Sequence, residues 1–500
     1  MGLFELTILA GYFLLVLGIG WWKGRHETSV EDYFVGRRQI PWWAVLGSLV
    51  ATEISAATYL AVPGVGFSEN MTYLQFGVGS FFARIFIATA FIGMFYKANC
   101  LSIYEYLRER FGGGSQYTAS IYFLITRILA SGVRLMIAAT GFSVILNVSF
   151  GWSLLLFGGI TLGYTFIGGI RSVIWTDCLQ AVIFIAAGLA GAFWLVENTG
   201  PAFLWETSLA AGKFELIRWQ PQGEGLLGWV NDSQWLVTAM LFGFLSTVAA
   251  LGTDQDMAQR LLSSKTSRLA RRSLILSGFI ALPVAALFLL VGVALHAWFQ
   301  ANPDPAFPTR MVDGLAVPDG DKAFSFFMTT AIPAWLRGLL LTGVLAAAMS
   351  SLDSAMAALS TSTVRDLLQP LWNKPVSAAR WLCISRCFTV FFAVILLLVA
   401  WSLRDSGRFL WLAFKITSLT YGSLLGVFLL GRFTSRGSDR GNIVAMLAGT
   451  AVASLGLWLI ETGRLPLAWT WLLVIGAGTT LIIGALSPGS SRGMVSGDLE

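Results

Sequence analysis

The sequence has little charge and almost no histidine. Only 12% of its 500 residues are Asp, Glu, Lys or Arg, against about 25% in soluble domains, while 56% are hydrophobic and the mean hydropathy is +0.72. This balance excludes a soluble globular protein and predicts a polytopic membrane protein, with the lipid bilayer as a partner. The net charge of +6 is no sign of a nucleic-acid partner, and none is expected.

Motifs of enzyme chemistry are also missing. The two histidines, His26 and His296, are too few and too far apart for a metal site, and neither lies near a serine cluster to act as its base. The four cysteines have no metal-ligand spacing. Because there is no G-x-x-x-x-G-K-[ST] motif, ATP-driven transport is disfavoured. The chain is therefore not expected to be an enzyme.

Long apolar stretches dominate instead. A membrane-spanning helix needs roughly 20 apolar residues, and the sequence predicts an all-α polytopic membrane protein with about 13 transmembrane helices. The first stretch has no basic n-region or cleavage site, so we expect a retained helix rather than a signal peptide. The stretches lie near 3–22, 42–66, 72–96, 118–148, 152–170, 173–196, 233–253, 273–299, 337–361, 379–402, 409–431, 442–461 and 466–487.

The distribution of basic residues predicts the orientation. If the N-terminus lies outside, most of the 33 lysines and arginines fall in cytoplasmic loops, as the positive-inside rule requires. We therefore expect a multi-pass protein of the plasma (inner) membrane with the C-terminus in the cytoplasm. Residues 1–490 are predicted to form one transporter domain, and 491–500 a disordered tail.

Two of the stretches are interrupted by small and polar residues. They read GSLVATEISAATYLAVPGVG and FGFLSTVAALGTDQD, and paired interrupted segments in corresponding halves indicate a transporter binding site. They would open two five-helix units, about 42–196 and 233–431, with 3–22, 442–461 and 466–487 as flanking helices.

The first interruption, LVATEISAATYLAVPG at 49–64, carries an acid and three hydroxyls: Glu53, Thr52, Ser55 and Thr58. An unwound turn frees backbone carbonyls that can coordinate a cation, and the acid adds charge or a hydrogen bond. The alternative is that Glu53 forms a structural pair with a membrane arginine.

The ninth stretch places four small or polar residues on one helix face. Ala347, Ser350, Ser351 and Ser354 follow i, i+3, i+4, i+7 spacing. Their oxygens suit Na⁺, although small residues also let helices pack closely. Asp353 favours the cation site, since a packing face has no need of a carboxylate.

Other charges inside apolar stretches default to functional hypotheses. Asp177 is either a second cation ligand or a charge near a helix N-terminus. Arg84 is more simply structural.

Arg134 could hold a substrate carboxylate in a bidentate fork, or could neutralise Glu53 or Asp353. Arg127 shares the face of Arg134 and could extend its charge outward to the interface.

At this point the sequence resembles the sodium/solute symporter family, which includes bacterial sialic acid, sugar, proline and pantothenate symporters. The resemblance covers roughly residues 5–485. It implies sodium-coupled symport and an inverted five-helix repeat like that of amino-acid symporters, with flanking helices. The stretches that carry it are EDYFVGRRQIPWW (31–43), GGIRSVIWTDCLQ (168–180), GTDQDMAQRLLSSKTSRLARRS (252–273) and LAAAMSSLDSAMAALST (345–361).

The resemblance also implies residue roles. The positions that match the family's main sodium site are the carbonyls of Ala51, Ile54 and Ala347 and the hydroxyls of Ser350 and Ser351. Those that match a second sodium site are Asp177, Ser350 and Ser354. Asp353 stands where the sialic acid symporter has a serine, so this second site could be stronger or could take another ion.

The same resemblance points to the solute site. Glu53 corresponds to a substrate-facing threonine of the sialic acid symporter and to an aspartate of the proline symporter, and Arg134 matches a carboxylate-binding arginine. The gating tyrosine of sugar symporters is not evident in LSTVAALG, which disfavours a sugar. The candidate solute residues are Thr52, Glu53, Ser55, Thr58, Tyr73, Gln75 and Arg134.

The sequence therefore predicts a symporter, functional as a monomer, that uses Na⁺ to import a small polar solute with a carboxylate by alternating access. The solute would be sialic acid-like, another organic acid or an amino acid. The alternatives are a sodium/sugar symporter, a proton-coupled symporter using Glu53 or Asp353, and a solute sensor built on a transporter fold.

Overall fold

A computed structural model describes residues 2–25, 29–55, 57–146, 148–312, 315–372, 375–404 and 409–488. The predicted disordered tail, 491–500, lies outside these ranges. All four cysteines are free.

The described chain is almost entirely helical. A small antiparallel hairpin pairs β1, Thr309–Val312, with β2, Leu315–Pro318. Shorter helical turns are a 3-10 turn at Gly36–Arg38 and π-helical turns at Ala57–Ala61 and Thr363–Leu368. The α-helices are α1 Leu3–Gly24, α2 Val30–Val35, α3 Trp42–Glu53, α4 Val62–Ser68, α5 Leu74–Ala90, α6 Ile92–Lys97, α7 Tyr104–Arg110, α8 Gly113–Leu146, α9 Phe150–Thr199, α10 Pro201–Ala210, α11 Gly225–Asn231, α12 Leu236–Gly252, α13 Gln255–Leu262, α14 Ser267–Ala301, α15 Gly320–Thr330, α16 Ala334–Ser362, α17 Gln369–Leu371, α18 Ala378–Ser402, α19 Phe409–Phe433, α20 Asp439–Glu461 and α21 Trp471–Leu486.

These helices make the chain a multi-pass membrane protein. Within the described ranges, eight helices are long and apolar enough to cross a membrane, or up to ten if each of two bent pairs is one span. Two shorter apolar helices, Phe150–Phe166 and Trp471–Leu486, add to them. Length and composition thus confirm many spans without fixing the predicted number of 13.

Both predicted interruptions are bends. Trp42–Glu53 and Thr58–Ser68 meet at 56°, and Leu236–Gly252 and Gln255–Leu262 meet at 62°. We call them the first break and the second break. At the first, Ile54 leaves helical torsion angles (φ −85°, ψ 77°). At the second, Asp254 caps α13 by accepting a hydrogen bond from the Asp256 amide at 2.9 Å.

The fifth and sixth predicted stretches form one bent element, α9. The bend lies at Gly169, whose φ of +46° is open to glycine at little cost. A Cβ atom at this position would come within 2.6 Å of the Tyr33 carbonyl oxygen. The bend of α9 therefore lies directly against Tyr33 of α2.

Helix α16 forms the centre of the bundle. Every residue from 340 to 362 is buried, and α16 packs against α1, α3, α8, α9 and α18. A helix that is buried all round is expected only in the core of a large bundle. Its serines and Asp353 are therefore enclosed by other helices.

We call the end of α4 and the start of α5 the hairpin end, since Phe307, just before β1, stacks on Phe67 of α4 with ring centroids 5.6 Å apart. Lys213, after α10, donates hydrogen bonds from Nζ to the carbonyl oxygens of Phe67 at 2.6 Å and Glu69 at 2.9 Å. These are among the last carbonyls of α4, which have no partner within the helix. The segment that follows α10 thus fastens the end of the broken helix.

Candidate functional site

The first break meets the serine face of α16. The Ser350 hydroxyl donates to the carbonyl oxygens of Ala51 at 3.0 Å and Ala347 at 3.1 Å. The Ser351 hydroxyl donates to the Ala347 carbonyl oxygen at 3.4 Å. All four residues are buried. The structure therefore brings together four of the five residues predicted for the main sodium site.

Ile54, the fifth, lies at the break itself and is 3% exposed. Its amide still bonds the Val50 carbonyl at 3.1 Å, but α3 ends at Glu53, so the carbonyls of its last turn lose their helical partners. Unwound carbonyls together with hydroxyls are the usual ligands of Na⁺ in transporters with broken helices.

Asp353 lies beside this group on α16 and is fully buried. Its carboxylate accepts hydrogen bonds from the Tyr164 hydroxyl at 2.6 Å and the Ser354 amide at 2.5 Å. Both donors are neutral, and no lysine, arginine or histidine forms a salt bridge with Asp353 among the described residues. The Ser354 hydroxyl donates to the Ser351 carbonyl at 3.3 Å, which joins the two predicted sodium sites.

Asp177 lies eight residues after the bend of α9 at Gly169, beyond the first turn in which a helix N-terminus favours an acid, and is also fully buried. The alternative that it is a helix N-terminal charge is therefore wrong. One carboxylate oxygen accepts from the Ser48 hydroxyl at 2.5 Å and from Arg260 at 3.2 Å. The other, Oδ1, is buried with no hydrogen-bond partner in the described chain.

The second break holds a cluster of buried ion pairs that sequence reasoning missed. Arg127 contacts Asp254 at 2.6 Å and Asp256 at 3.0 Å, and Arg260 contacts Asp256 at 2.5 Å. The Tyr421 hydroxyl donates to Asp254 at 2.6 Å. We call Arg127, Asp254, Asp256 and Arg260 the ionic cluster.

One expectation is corrected here. Arg127 does not extend toward the interface, since its exposed fraction is 1%, and Arg260 is buried as well, at 0%. The available signal was the DQDMAQR run, in which Asp256 and Arg260 have i, i+4 spacing on one helix face. What the run could not reveal was the burial of α13 against α3, α14 and α16.

Glu53 forms an ion pair with Arg84 of α5, so the structural alternative for Glu53 is realised for one of its oxygens. Arg84 also donates from Nε to the Ser277 hydroxyl at 3.1 Å and from Nη1 to the Ser80 hydroxyl at 2.8 Å. The second Glu53 oxygen, Oε1, is buried and has no hydrogen-bond partner in the described chain.

Arg134 is half-buried, and its Nη1 atom has no hydrogen-bond partner among the described residues. It does not neutralise Glu53, whose partner is Arg84, and forms no salt bridge with Asp353 within the described ranges. Of its predicted roles, the binding of a solute carboxylate therefore remains.

The other solute candidates separate into two groups. The Thr52 hydroxyl is used inside α3, where it donates to the Ser48 carbonyl at 2.9 Å. Ser55 is buried and Thr58 half-buried at the first break. The ring of Tyr73 packs on Phe76 at the hairpin end of α5, with centroids 5.6 Å apart.

Gln75, at the same end, is engaged with the loops. Its side-chain amide donates to the carbonyls of Thr72 at 3.1 Å and Gln234 at 2.8 Å, and its oxygen accepts from the Arg218 amide at 3.0 Å. Because these bonds involve both the nitrogen and the oxygen of its side-chain amide, Gln75 stabilises the hairpin end in this structure.

The fold and these sites define a class of protein: a transporter with broken helices that meet at oxygen-rich, buried sites. A solved Na⁺-coupled sialic acid symporter, substrate-bound and outward-open, has the same fold, with a TM-score of 0.85 over 98% of this chain and 99% of that chain at 22% identity. Mhp1, a nucleobase-cation-symport-1 family transporter, superposes with a TM-score of 0.58 over 91% of this chain and 93% of that chain at 13% identity.

The family follows from the sequence comparisons. A model of the sodium:solute symporter family matches residues 33–449. The sodium/sialic acid symporter NanT of Aliivibrio fischeri is 25% identical over 97% of this chain and 93% of its own length. The sodium/glucose cotransporter of Vibrio parahaemolyticus is 25% identical over 90% of this chain and 84% of its own length.

The chain belongs to the sodium:solute symporter family. It is a sodium-coupled solute symporter, and Na⁺ is its coupling ion. The predicted family and coupling ion are thereby confirmed.

Proposed function

We propose that this symporter imports a small, polar, carboxylate-bearing solute, with sialic acids as the first candidates, by alternating access. The observation that carries the proposal is the Ser350 hydroxyl, which bridges the Ala51 carbonyl of the first break and the Ala347 carbonyl of α16. A Na⁺ ion bound between these oxygens would favour one packing of the two helices. A conformational change of this kind needs such a difference in affinity between states.

The main sodium site in this proposal consists of the carbonyls of Ala51, Ile54 and Ala347 and the hydroxyls of Ser350 and Ser351. In this structure the two hydroxyls donate to two of these carbonyls, those of Ala51 and Ala347. On binding, they would turn their lone pairs toward the ion, because a hydroxyl can act as donor or acceptor.

A second sodium site would lie at Asp177, Ser350, Asp353 and Ser354. Two features support it. Asp353 has only neutral hydrogen-bond donors, and Asp177 has a buried oxygen without a partner in the described chain. Burying a carboxylate is costly unless a counter-charge is present, and a bound cation would supply that charge.

The solute site would lie at the first break. Arg134 would bind the solute carboxylate through its open Nη1 edge, and Glu53, Ser55 and Thr58 would face its hydroxyl or amine groups. The chain matches two relatives named as sodium/sialic acid symporters over nearly their whole length, which supports a sugar acid as the solute. Thr52, Tyr73 and Gln75 are weaker candidates, because their surroundings are helix backbone or the hairpin end.

The architecture proposed for this cycle has 13 spans. Two inverted five-helix repeats, about 42–196 and 233–431, each open with a broken helix, and the bends of 56° and 62° support the correspondence. The N-terminus and the hairpin end would face outward and the C-terminus inward, in one domain that works as a monomer. The basic residues of the connecting loops support this orientation.

The test is uptake into proteoliposomes. Purified protein should accumulate N-acetylneuraminic acid when an inward Na⁺ gradient is applied and not when K⁺ replaces Na⁺. L-proline and glucose serve as matched solutes. Accumulation driven by a proton gradient in the absence of Na⁺, or uptake of glucose alone, would contradict the proposal.

A further inference from the structure

Arg84 is held far more tightly than a helix-packing residue needs. It is 3% exposed in the apolar helix α5, and its guanidinium bonds Glu53, the Ser277 hydroxyl of α14 and the Ser80 hydroxyl of its own helix. The Thr247 hydroxyl of α12 donates to the same Ser80 oxygen at 2.8 Å. Arg84 thus connects the first break to three surrounding helices.

Space for this side chain is provided by Gly278. A Cβ atom at that position would lie 2.8 Å from Cδ of Arg84. Arginine presents a rigid, planar set of donors, so these contacts fix the direction in which the guanidinium faces Glu53.

Only one of the two carboxylate oxygens of Glu53 bonds Arg84. The serines are neutral donors or acceptors, so Glu53 is the only counter-ion that Arg84 contacts among the described residues. A carboxylate has two oxygens and about four acceptor positions. Oε2 binds Arg84 while Oε1 is buried without a hydrogen-bond partner among the described residues, although 15% of the Glu53 side chain remains exposed.

An unpaired buried acceptor is costly, and native structures rarely keep one without a reason. In the sequence Glu53 stands between Ala51 and Ile54, the two residues of the first break whose carbonyls belong to the proposed sodium site. A solute that donates a hydrogen bond to Oε1 would remove that cost when it binds beside the ion.

We propose that Arg84 is a positioning residue of the solute site, which holds one oxygen of Glu53 and thereby presents Oε1 to a hydroxyl or ammonium group of the solute. This inference rests on the proposed function. It specifies the solute further: besides its carboxylate, the solute carries a donor at the first break. A solute with a second carboxylate at this position is rejected, because that carboxylate would lie beside the negative charge of Glu53.

The experiment measures Kd values of purified protein in Na⁺ for N-acetylneuraminic acid, L-proline and succinate. We expect wild type to bind N-acetylneuraminic acid or L-proline but not succinate, which has two carboxylates. Arg84→Gln weakens binding of the preferred solute at least tenfold, whereas Arg84→Lys, which keeps the charge without the planar set of donors, weakens it less. Arg365→Gln, which breaks the ion pair with Glu105, is the matched control and stays within about threefold of wild type.

A double-mutant cycle separates positioning from a structural role. In a Glu53→Gln background, Arg84→Gln has no further effect on the solute Kd, because both variants act through the same carboxylate. The Na⁺ concentration for half-maximal binding changes less than twofold in every variant. Glu53→Gln also gains measurable succinate binding, because Arg84 has lost its counter-ion.

Contrary results fall into distinct groups. If Arg84→Gln binds the solute as wild type does, or weakens Na⁺ and solute binding equally, Arg84 is structural and the inference fails while symport stands. Additive effects in the cycle also overturn it. If wild type binds none of the panel in a Na⁺-dependent way, the proposed solute class fails instead.

Discussion

The two breaks hold charge in different ways. At the second break, Arg127, Asp254, Asp256 and Arg260 are at most 1% exposed and pair with one another. Among the described residues, the first break has one ion pair, a half-buried Glu53 with an oxygen that has no hydrogen-bond partner, and an Ala51 carbonyl that accepts from the Ser350 hydroxyl. Charges that pair with one another stabilise a bend, whereas hydrogen-bond acceptors without a partner at a bend can bind an ion and a solute.

The two breaks are also connected. Arg260 of α13 donates to the Ser48 hydroxyl of α3 at 2.8 Å, and Ser48 donates to Asp177. A cation bound near Asp177 would therefore act on both broken helices at once. Coupling between ion and solute requires such a shared element, whose arrangement both ligands bias.

The largest effect is expected at the second break. Arg127→Met leaves Asp254 and Asp256 without their shared guanidinium, and removal of one partner from a buried pair costs about 3–5 kcal/mol. Thermal unfolding of the purified variant should begin at a much lower temperature, if folded protein is recovered at all.

The control is Arg365→Met. Arg365 pairs with Glu105 at 2.5 Å, but 34% of its side chain is exposed, and exposed pairs contribute roughly 0–1 kcal/mol. Equal destabilisation by the two variants would remove the proposed difference between the ionic cluster and ordinary ion pairs.

The next effect concerns the solute at the first break. Arg134→Gln removes the charged donor proposed for the solute carboxylate, a bond worth about 1.5–3 kcal/mol. We expect the Kd for N-acetylneuraminic acid to rise by roughly 10- to 150-fold with unchanged Na⁺ binding. Arg380→Gln, an exposed arginine on α18, should leave both affinities unchanged. Retained solute affinity in Arg134→Gln would make this arginine structural.

A smaller effect is expected from the sodium ligands. Ser351→Ala removes one proposed hydroxyl ligand, and we expect about a tenfold rise, or about 1.4 kcal/mol, in the Na⁺ concentration for half-maximal uptake. Ser360→Ala on the same helix removes a buried hydroxyl that bonds the Ser385 carbonyl at 2.6 Å, and should not change the Na⁺ dependence. An unchanged Na⁺ requirement in Ser351→Ala contradicts the assigned site.

The smallest effect concerns the hairpin end. Burial lowers the pKa of Lys213, whose ammonium bonds the carbonyls at the end of α4. Lys213→Met should cost about 1 kcal/mol of stability in thermal unfolding without a change in solute Kd. Lys322→Met, which removes a half-exposed ammonium paired with Asp319, should cost less. A changed solute Kd in Lys213→Met would extend the solute site to the hairpin end.

Much of this arrangement could be predicted from the sequence, because apolar length and polar interruptions are local signals. The bends at Glu53–Thr58 and Gly252–Gln255 and the alignment of Ala347, Ser350 and Ser351 all follow from spacing along one helix. These features were found where they were predicted.

Pairing between distant segments could not be predicted in this way. Nothing in the spacing of Glu53 and Arg84 shows that they meet, and Arg260 looks like one of many basic loop residues until α13 is seen buried. Gln75 has the polarity expected of a solute ligand, but its side-chain oxygen accepts a hydrogen bond from the backbone amide of Arg218. Such partners depend on tertiary packing.

The central claim is that Na⁺ and solute bind together at the first break. The direct measurement is thermal stabilisation of the purified protein by N-acetylneuraminic acid, L-proline and glucose, each in Na⁺ and in K⁺, because a ligand of the folded state raises its stability by mass action. We predict that a carboxylate-bearing solute raises the unfolding temperature in Na⁺ only, and that Ser351→Ala reduces this shift. An equal shift in Na⁺ and K⁺ would contradict coupled binding.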